Sequence, residues 1–233
     1  MPPYQPGSET RSRLLEAAAE VFAEQGFRHA RVSDICQRAQ ANIAAVNYHF
    51  GDKEQLYAAV IRLLNEETQA EAAFMQIDAQ AQPEEQLRTF IRGILYPLLQ
   101  TGPSTRLAKL MAREMIEPTG ALDYMIENVI RPIHTALEGI VSRILGLPAD
   151  CAVADLCVGS VLSQCMVYFQ SKEIVLRMNP ELINPDCTYE AAAIDRLAEH
   201  VTQFSLRGMR GLAALMAARS DADPHTAASN PEY

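Results

Sequence analysis

"NIAAVNYHFGDKEQLY", residues 42–57, is an unusual stretch of helix. Small Ala44 and Ala45 sit beside the hydrogen-bonding tips of Asn47, Tyr48 and His49. Phe50-Gly51 then ends the run, and Asp52 opens another helix at once. Asn42 is a natural N-cap, because its side-chain oxygen can accept from the free amides of a first turn. Asp52, with Gln55 three positions on, reads as a capping box. Only about two helical turns fit between the caps. So short a helix, with so little bulk and so many polar tips, is poorly suited to filling a core.

The preceding residues explain the oddity. Leu14, Leu15, Ala18, Val21 and Phe22 form one apolar stripe of a helix over 9–25, and Gly26 supplies a stop. Val32 and Ile35 anchor a short helix over 32–39, and only "QAN" separates it from the opening stretch. Two short helices joined by a tight turn and clamped by a third make a helix-turn-helix. Its second helix enters a DNA major groove about 12 Å wide, which admits only slim side chains. Ile43 and Ala44 suit thymine methyls, Asn47 pairs bidentately with adenine, and Tyr48 and His49 reach phosphates or base edges. Val46 and Phe50 are expected to anchor the helix from behind. Lys53 is expected to grip a phosphate, aided by the amides at its helix N-terminus.

"ARVSDICQRAQANIAAVNYHFGDKEQLY" resembles the DNA-binding signature of TetR/AcrR-type transcriptional regulators, and with the first helix the resemblance covers about residues 9–57. "VIRPIHTAL" and "KEIVLRMNP", further on, are similar to the CerR/CecR-like subgroup. The resemblance implies a dimer whose last two long helices pair in a four-helix bundle, with middle helices enclosing a ligand cavity. It maps DNA contacts onto Ile43, Ala45, Asn47, Tyr48, His49 and Lys53. Two positions depart from the pattern. Arg31 stands where the family has a capping Ser or Thr; it cannot cap but can touch a phosphate. Gln40 replaces the common turn glycine, at a strain of about 1 kcal/mol if left-handed.

Charge raises an objection. Net charge is −9. Over 8–57, six basic residues (Arg11, Arg13, Arg28, Arg31, Arg38, Lys53) face seven acidic ones (Glu9, Glu16, Glu20, Glu24, Asp34, Asp52, Glu54). DNA binders usually show a positive balance. Glu16, Glu20 and Glu24 recur on one face of the first helix, which can point away from DNA.

Helical periodicity runs through the rest and strand signals are nearly absent, so the chain reads as all-α, with about nine or ten helices. Leu87 to Leu98, Leu107 to Met115, residues 121–147 with a split or kink at Pro132, 153–170 and 189–217 carry the later helices; "RMNPELINPD" reads as a loop with room for a short turn. The expected layout is a flexible arm (1–8), a helix-turn-helix DNA-binding domain (9–52), a larger helical ligand-binding and dimerisation domain (53–217) and a disordered tail (218–233). Met75, Tyr96, Met111, Met115, Tyr124, Met125, His134, Met166 and Phe169 are candidates to line a pocket, against core packing as the plainer role. Leu197, Val201, Phe204, Gly208, Gly211 and Leu215 form a stripe for dimerisation or for the monomer's own core.

The apolar run 151–169 is long enough to span a bilayer, yet Asp155, Ser160, Ser163 and Gln164 interrupt it, and a buried helix is expected. The N-terminus has no signal-peptide core. Five cysteines without a C-x-x-C read as cytosolic free thiols. No nucleophile–base pairing, carboxylate pair or metal spacing appears, so neither an enzyme nor a cofactor or metal is expected. The expected partners are double-stranded operator DNA, a small-molecule effector and a second copy, in the cytoplasm.

Overall fold

The computed structural model describes residues 6–72, 77–148, 151–182, 184 and 188–222. In chain order it comprises α1 (Pro6–His29), α2 (Val32–Arg38), α3 (Ile43–Phe50), α4 (Lys53–Ala72), α5 (Pro83–Leu99), α6 (Pro103–Ile116) and α7 (Leu122–Met125). A π turn (Ile126–Ile130) follows, then α8 (Arg131–Leu145), α9 (Ala152–Gln170), α10 (Lys172–Met178), a 3-10 turn (Pro180–Leu182) and α11 (Ala191–Ala222). The described residues form helices and connections without a strand, an all-α fold.

Contacts divide the chain into two compact units, Met1–Phe74 with Gln100–Pro132, and Met75–Leu99 with Ile133–Tyr233. In this division α4, α6 and α7 group with the first three helices. In the first unit α1 packs against α2, α3, α4 and α6 through fully buried Leu14, Ala18, Val21 and Phe22. A buried polar clasp joins α4 to α6. The Tyr57 hydroxyl donates to Glu114 Oε1 at 2.9 Å, and the Thr119 amide donates to Glu114 Oε2 at 2.8 Å. Burial, reinforced by the Glu114 charge, pushes the Tyr57 hydroxyl far above the ordinary phenol range.

The second unit buries Leu87, Ile91, Leu95, Leu137, Val158 and Ile194 in one cluster drawn from α5, α8, α9 and α11. α9 passes as a membrane span by length and composition alone. Here Val153, Ala154, Cys157, Val158, Val161 and Cys165 turn one of its faces into this core.

Several expected boundaries shift. α1 starts at Pro6, so part of the expected arm is helical; it runs to His29 across a break at Gly26, where φ is 77° and ψ 167°. Pro132 does not itself split the long helix: the π turn lies just before it, with Arg131 N–H bonded to Ile126 C=O. Proline lacks the N–H that would bond the carbonyl four residues back. That carbonyl, on Asn128, instead accepts from buried Asn65 Nδ2 at 3.4 Å. Residues 172–178 form α10, which takes in Arg177 and Met178 from the expected loop, and α11 continues to Ala222 into the expected tail. Residues 223–233, together with Met75 and Cys187, lie outside the described residues.

Candidate nucleic-acid interface

The interface is built from α2, its turn and α3. Arg31 occupies the N-cap position of α2 in extended conformation and makes no capping bond. At the far end Ala39 is right-handed and Gln40 adopts φ 50°. Gln40 N–H reaches Gln37 C=O at 3.2 Å, and Ala41 N–H reaches Cys36 C=O at 2.9 Å. These two bonds define a Schellman motif with glutamine in the place glycine usually takes. The turn therefore holds despite the substitution expected to strain it.

Asn42 caps α3, its Oδ1 accepting from Ala45 N–H at 2.8 Å. Val46 and Phe50 are buried at 1% and 7% exposure, whereas Ile43 and Tyr48 stand 55% and 84% exposed. Ala44 and Asn47 share that exposed face; Ala45 and His49 are half-buried at its edges. The spacing explains the split. Residues 43, 44, 47 and 48 lie on one side of a helix with 3.6 residues per turn, and 46 and 50 on the other. The helix is pinned from behind and presents an amide, a phenol, a methyl and a short aliphatic chain outward.

Asp52 Oδ1 accepts from Gln55 N–H at 2.7 Å, capping the start of α4. Lys53 is less free than expected: Nζ donates to Arg28 C=O at 3.4 Å and lies 4.7 Å from the Phe27 ring centroid. It is docked on the C-terminal carbonyls of α1, where a cation is favoured. The carboxylates on the acidic face of α1 do not stand free in this fold. They are paired: Glu16 with Arg106 at 2.7 Å, Glu20 with Arg38 at 3.1 Å and Glu24 with Arg38 at 3.0 Å. The Arg38 hydrogen bond holds the Glu24 carboxyl below the usual carboxylate range. One exposed cation, counted among the basic residues of the sequence but not assigned to the site, joins it: the Arg11 guanidinium lies 5.3 Å from the Phe50 ring centroid, beside the end of α3. No local pattern marks it, because the contact spans two helices distant in sequence.

Eight of the nine pocket candidates lie among the described residues, and they divide between the two units. Met111, Met115, Tyr124 and Met125 fall in the first unit, and Tyr96, His134, Met166 and Phe169 in the second. Met125 is fully buried, while Met115 is 62% exposed. Tyr96 donates to Asp195 Oδ1 at 2.9 Å. His134 Nε2 lies 2.9 Å from Asp155 Oδ1, and Glu138 completes a cluster of three metal-capable side chains. Met166 is half-buried, and Phe169 packs against the core of the second unit. Tyr124 lines a cavity of about 400 Å³ in the first unit. The dimer stripe also divides: Leu197 and Val201 are buried in the second unit's own core, the alternative role named for the stripe, whereas Phe204, Gly208, Gly211 and Leu215 are exposed. Burial raises the Cys165 thiol to about 12, so it stays protonated and inert at neutral pH.

Comparison with known proteins fits this geometry. Residues 14–60 match the family of bacterial regulatory proteins, tetR family, and residues 83–209 match the C-terminal domain of the HTH-type transcriptional dual regulator CecR. The CecR protein of Shigella flexneri is 28% identical over 221 residues, covering 86% of this chain and 96% of its own. The transcriptional repressor NicS of Pseudomonas putida is 32% identical over 90 residues, 39% of this chain and 42% of its own. A TetR-like regulator from Rhodococcus sp. RHA1 shares the fold with a TM-score of 0.59 at 18% identity, covering 87% of this chain and 96% of that one. With its capped, outward-facing α3 in the segment matched to tetR and most of its remaining length matched to CecR, this chain belongs to the TetR family of transcriptional regulators.

Proposed function

We propose that this regulator is a cytoplasmic homodimeric repressor, released from double-stranded operator DNA by a small, largely apolar compound. The observation that carries the DNA reading is the exposed Ile43, Ala44, Asn47 and Tyr48 face on a helix anchored by Val46 and Phe50. Asn47 pairs with an adenine edge, Ile43 and Ala44 meet thymine methyls, and Tyr48 and His49 reach base edges or phosphates. Ala45 allows close approach, and Asn42, Arg31, Lys53 and Arg11 face the backbone. A second copy packs on the outer faces of α9 and α11, using Phe204, Gly208, Gly211 and Leu215, so two α3 helices meet successive half-sites. The effector acts by favouring a conformation in which α4 sets the wrong spacing between them.

A gel shift on DNA flanking the chain's own gene tests the reading. Asn47→Ala and Tyr48→Ala should each weaken specific binding roughly tenfold or more, the value of one good base contact. Lys53→Ala should weaken all sequences alike and flatten the salt dependence by about one unit of slope. Undiminished binding in both α3 variants sinks the proposal. The name of the Shigella flexneri relative, a dual regulator, favours a second reading in which the same contact also activates. Reporter expression that falls when the regulator is deleted would select that reading.

A further inference from the structure

We propose that the cavity beneath the start of α4 is an effector site for a small planar aromatic acid. The assignment deepens the ligand-controlled reading above and rests on it for its consequence at DNA. The cavity holds about 400 Å³ and is lined by the end of α1, the first half of α4 and the turn into α7. That volume lies within the range of sites for small organic ligands. Its walls are mostly apolar: Phe27, Tyr57, Ala58 and Ile61 on one side, Ala121 and Tyr124 on the other.

Two features select the ligand. Arg62 lines the cavity with its guanidinium carbon 5.6 Å from the Tyr124 ring centroid, and it forms no ion pair among the described residues. A cation stacked on an aromatic wall, without a carboxylate of its own, fits the carboxylate of a ring that lies along that wall. Glu54, the other charged lining residue, sits eight positions earlier on α4. That places it roughly 12 Å away along the helix axis, so one carboxylate can meet Arg62 without facing Glu54. The ring itself finds Phe27, Tyr57 and Tyr124, which favour offset or edge-on aromatic contacts.

Position supplies the regulatory link. Phe27 lines the cavity and also carries Lys53 Nζ at 4.7 Å from its centroid. Tyr57 lines it too and is tied to Glu114 at the α4–α6 clasp. A ligand that displaces either ring moves the first turn of α4, where Lys53 meets DNA.

Calorimetric titration of the full-length protein with naphthoate, and with naphthylmethanol as the uncharged analogue, tests the site. Wild type should bind naphthoate, and Arg62→Gln should lose roughly tenfold or more of that affinity while naphthylmethanol binding changes little. Ala58→Phe, which fills the cavity, should lose both, with circular dichroism checking that each variant is folded. Equal naphthoate affinity in wild type and Arg62→Gln, or no wild-type binding at millimolar probe, overturns the proposal. Naphthoate is then titrated against the operator complex of each protein. Release that persists in Arg62→Gln leaves ligand control standing and removes this site. Arg62-dependent binding without release leaves the site standing and removes the ligand-control reading.

Discussion

Two faces of this protein keep large apolar side chains in water, and they do so differently. On α3, Ile43 and Tyr48 are 55% and 84% exposed, interleaved with Ala44 and Asn47. On α9 and α11, Leu156, Phe204 and Leu215 are 65%, 63% and 63% exposed, and their exposed neighbours include Gly159, Ser160, Gly208 and Gly211. The first face mixes methyls with an amide and a phenol, as base edges require. The second offers bulky apolar groups beside small residues, a surface that another helix pair can approach closely. Exposure alone does not distinguish the two; the chemistry between the exposed groups does.

The largest effect should come from the hidden side of α3. Phe50→Ala removes a ring that is 7% exposed and should cost roughly 4 kcal/mol, because the cavity left behind only partly collapses. Tyr48→Ala, two residues away, should change stability by no more than about 0.5 kcal/mol, since its ring stands in solvent. Thermal melts of the two variants beside wild type make the comparison. Equal losses would mean that Tyr48 packs within the fold and that α3 has no free reading face.

The second face gives a smaller effect, in a different observable. Phe204→Glu places an unpaired charge where a second copy is proposed to pack, at about 3 kcal/mol of association free energy. Sedimentation should show a monomer with a near-normal melting curve for the folded chain. Leu197→Ala should do the reverse, losing roughly 3 kcal/mol of folding stability, because Leu197 is only 8% exposed within its own unit. If Phe204→Glu sediments as wild type does, the outer face of α11 is not the dimer surface.

These pairs also show what was legible in the chain. Val46 and Phe50 as anchors, and Asn42 and Asp52 as caps, depend on residues three or four apart, and the structure places all of them as read. Leu197 and Phe204 share one stripe in sequence, yet one is buried and the other exposed. Over a helix as long as α11 (32 residues), successive residues on one sequence stripe meet different neighbours, and periodicity does not say which helix covers which turn. Lys53 on the Arg28 carbonyl, Arg38 between Glu20 and Glu24, and Arg62 over Tyr124 each join segments far apart in the chain. No local pattern encodes such contacts. The same reason scatters the methionine and aromatic pocket candidates: adaptable side chains suit a cavity wall and a core equally.

The smallest effect concerns the turn that aims the first face. Gln40 holds φ 50° with no β-carbon relief, and its side chain is exposed. The left-handed conformation costs a non-glycine residue about 1–2 kcal/mol, and glycine would recover most of this while losing about 0.5–1 kcal/mol to the freedom of the unfolded chain. Gln40→Gly should therefore stabilise by roughly 0.5–1 kcal/mol and raise Tm by about 2 °C. Gln40→Ala keeps the strain and should gain nothing. The backbone bonds from Gln40 to Gln37 and from Ala41 to Cys36 remain in both variants, so the angle of α3 and its operator affinity should hold. If both variants raise Tm equally, the glutamine side chain rather than its backbone angle sets the strain. If Gln40→Gly instead weakens operator binding while raising Tm, the left-handed glutamine is what keeps the reading face rigid enough to use.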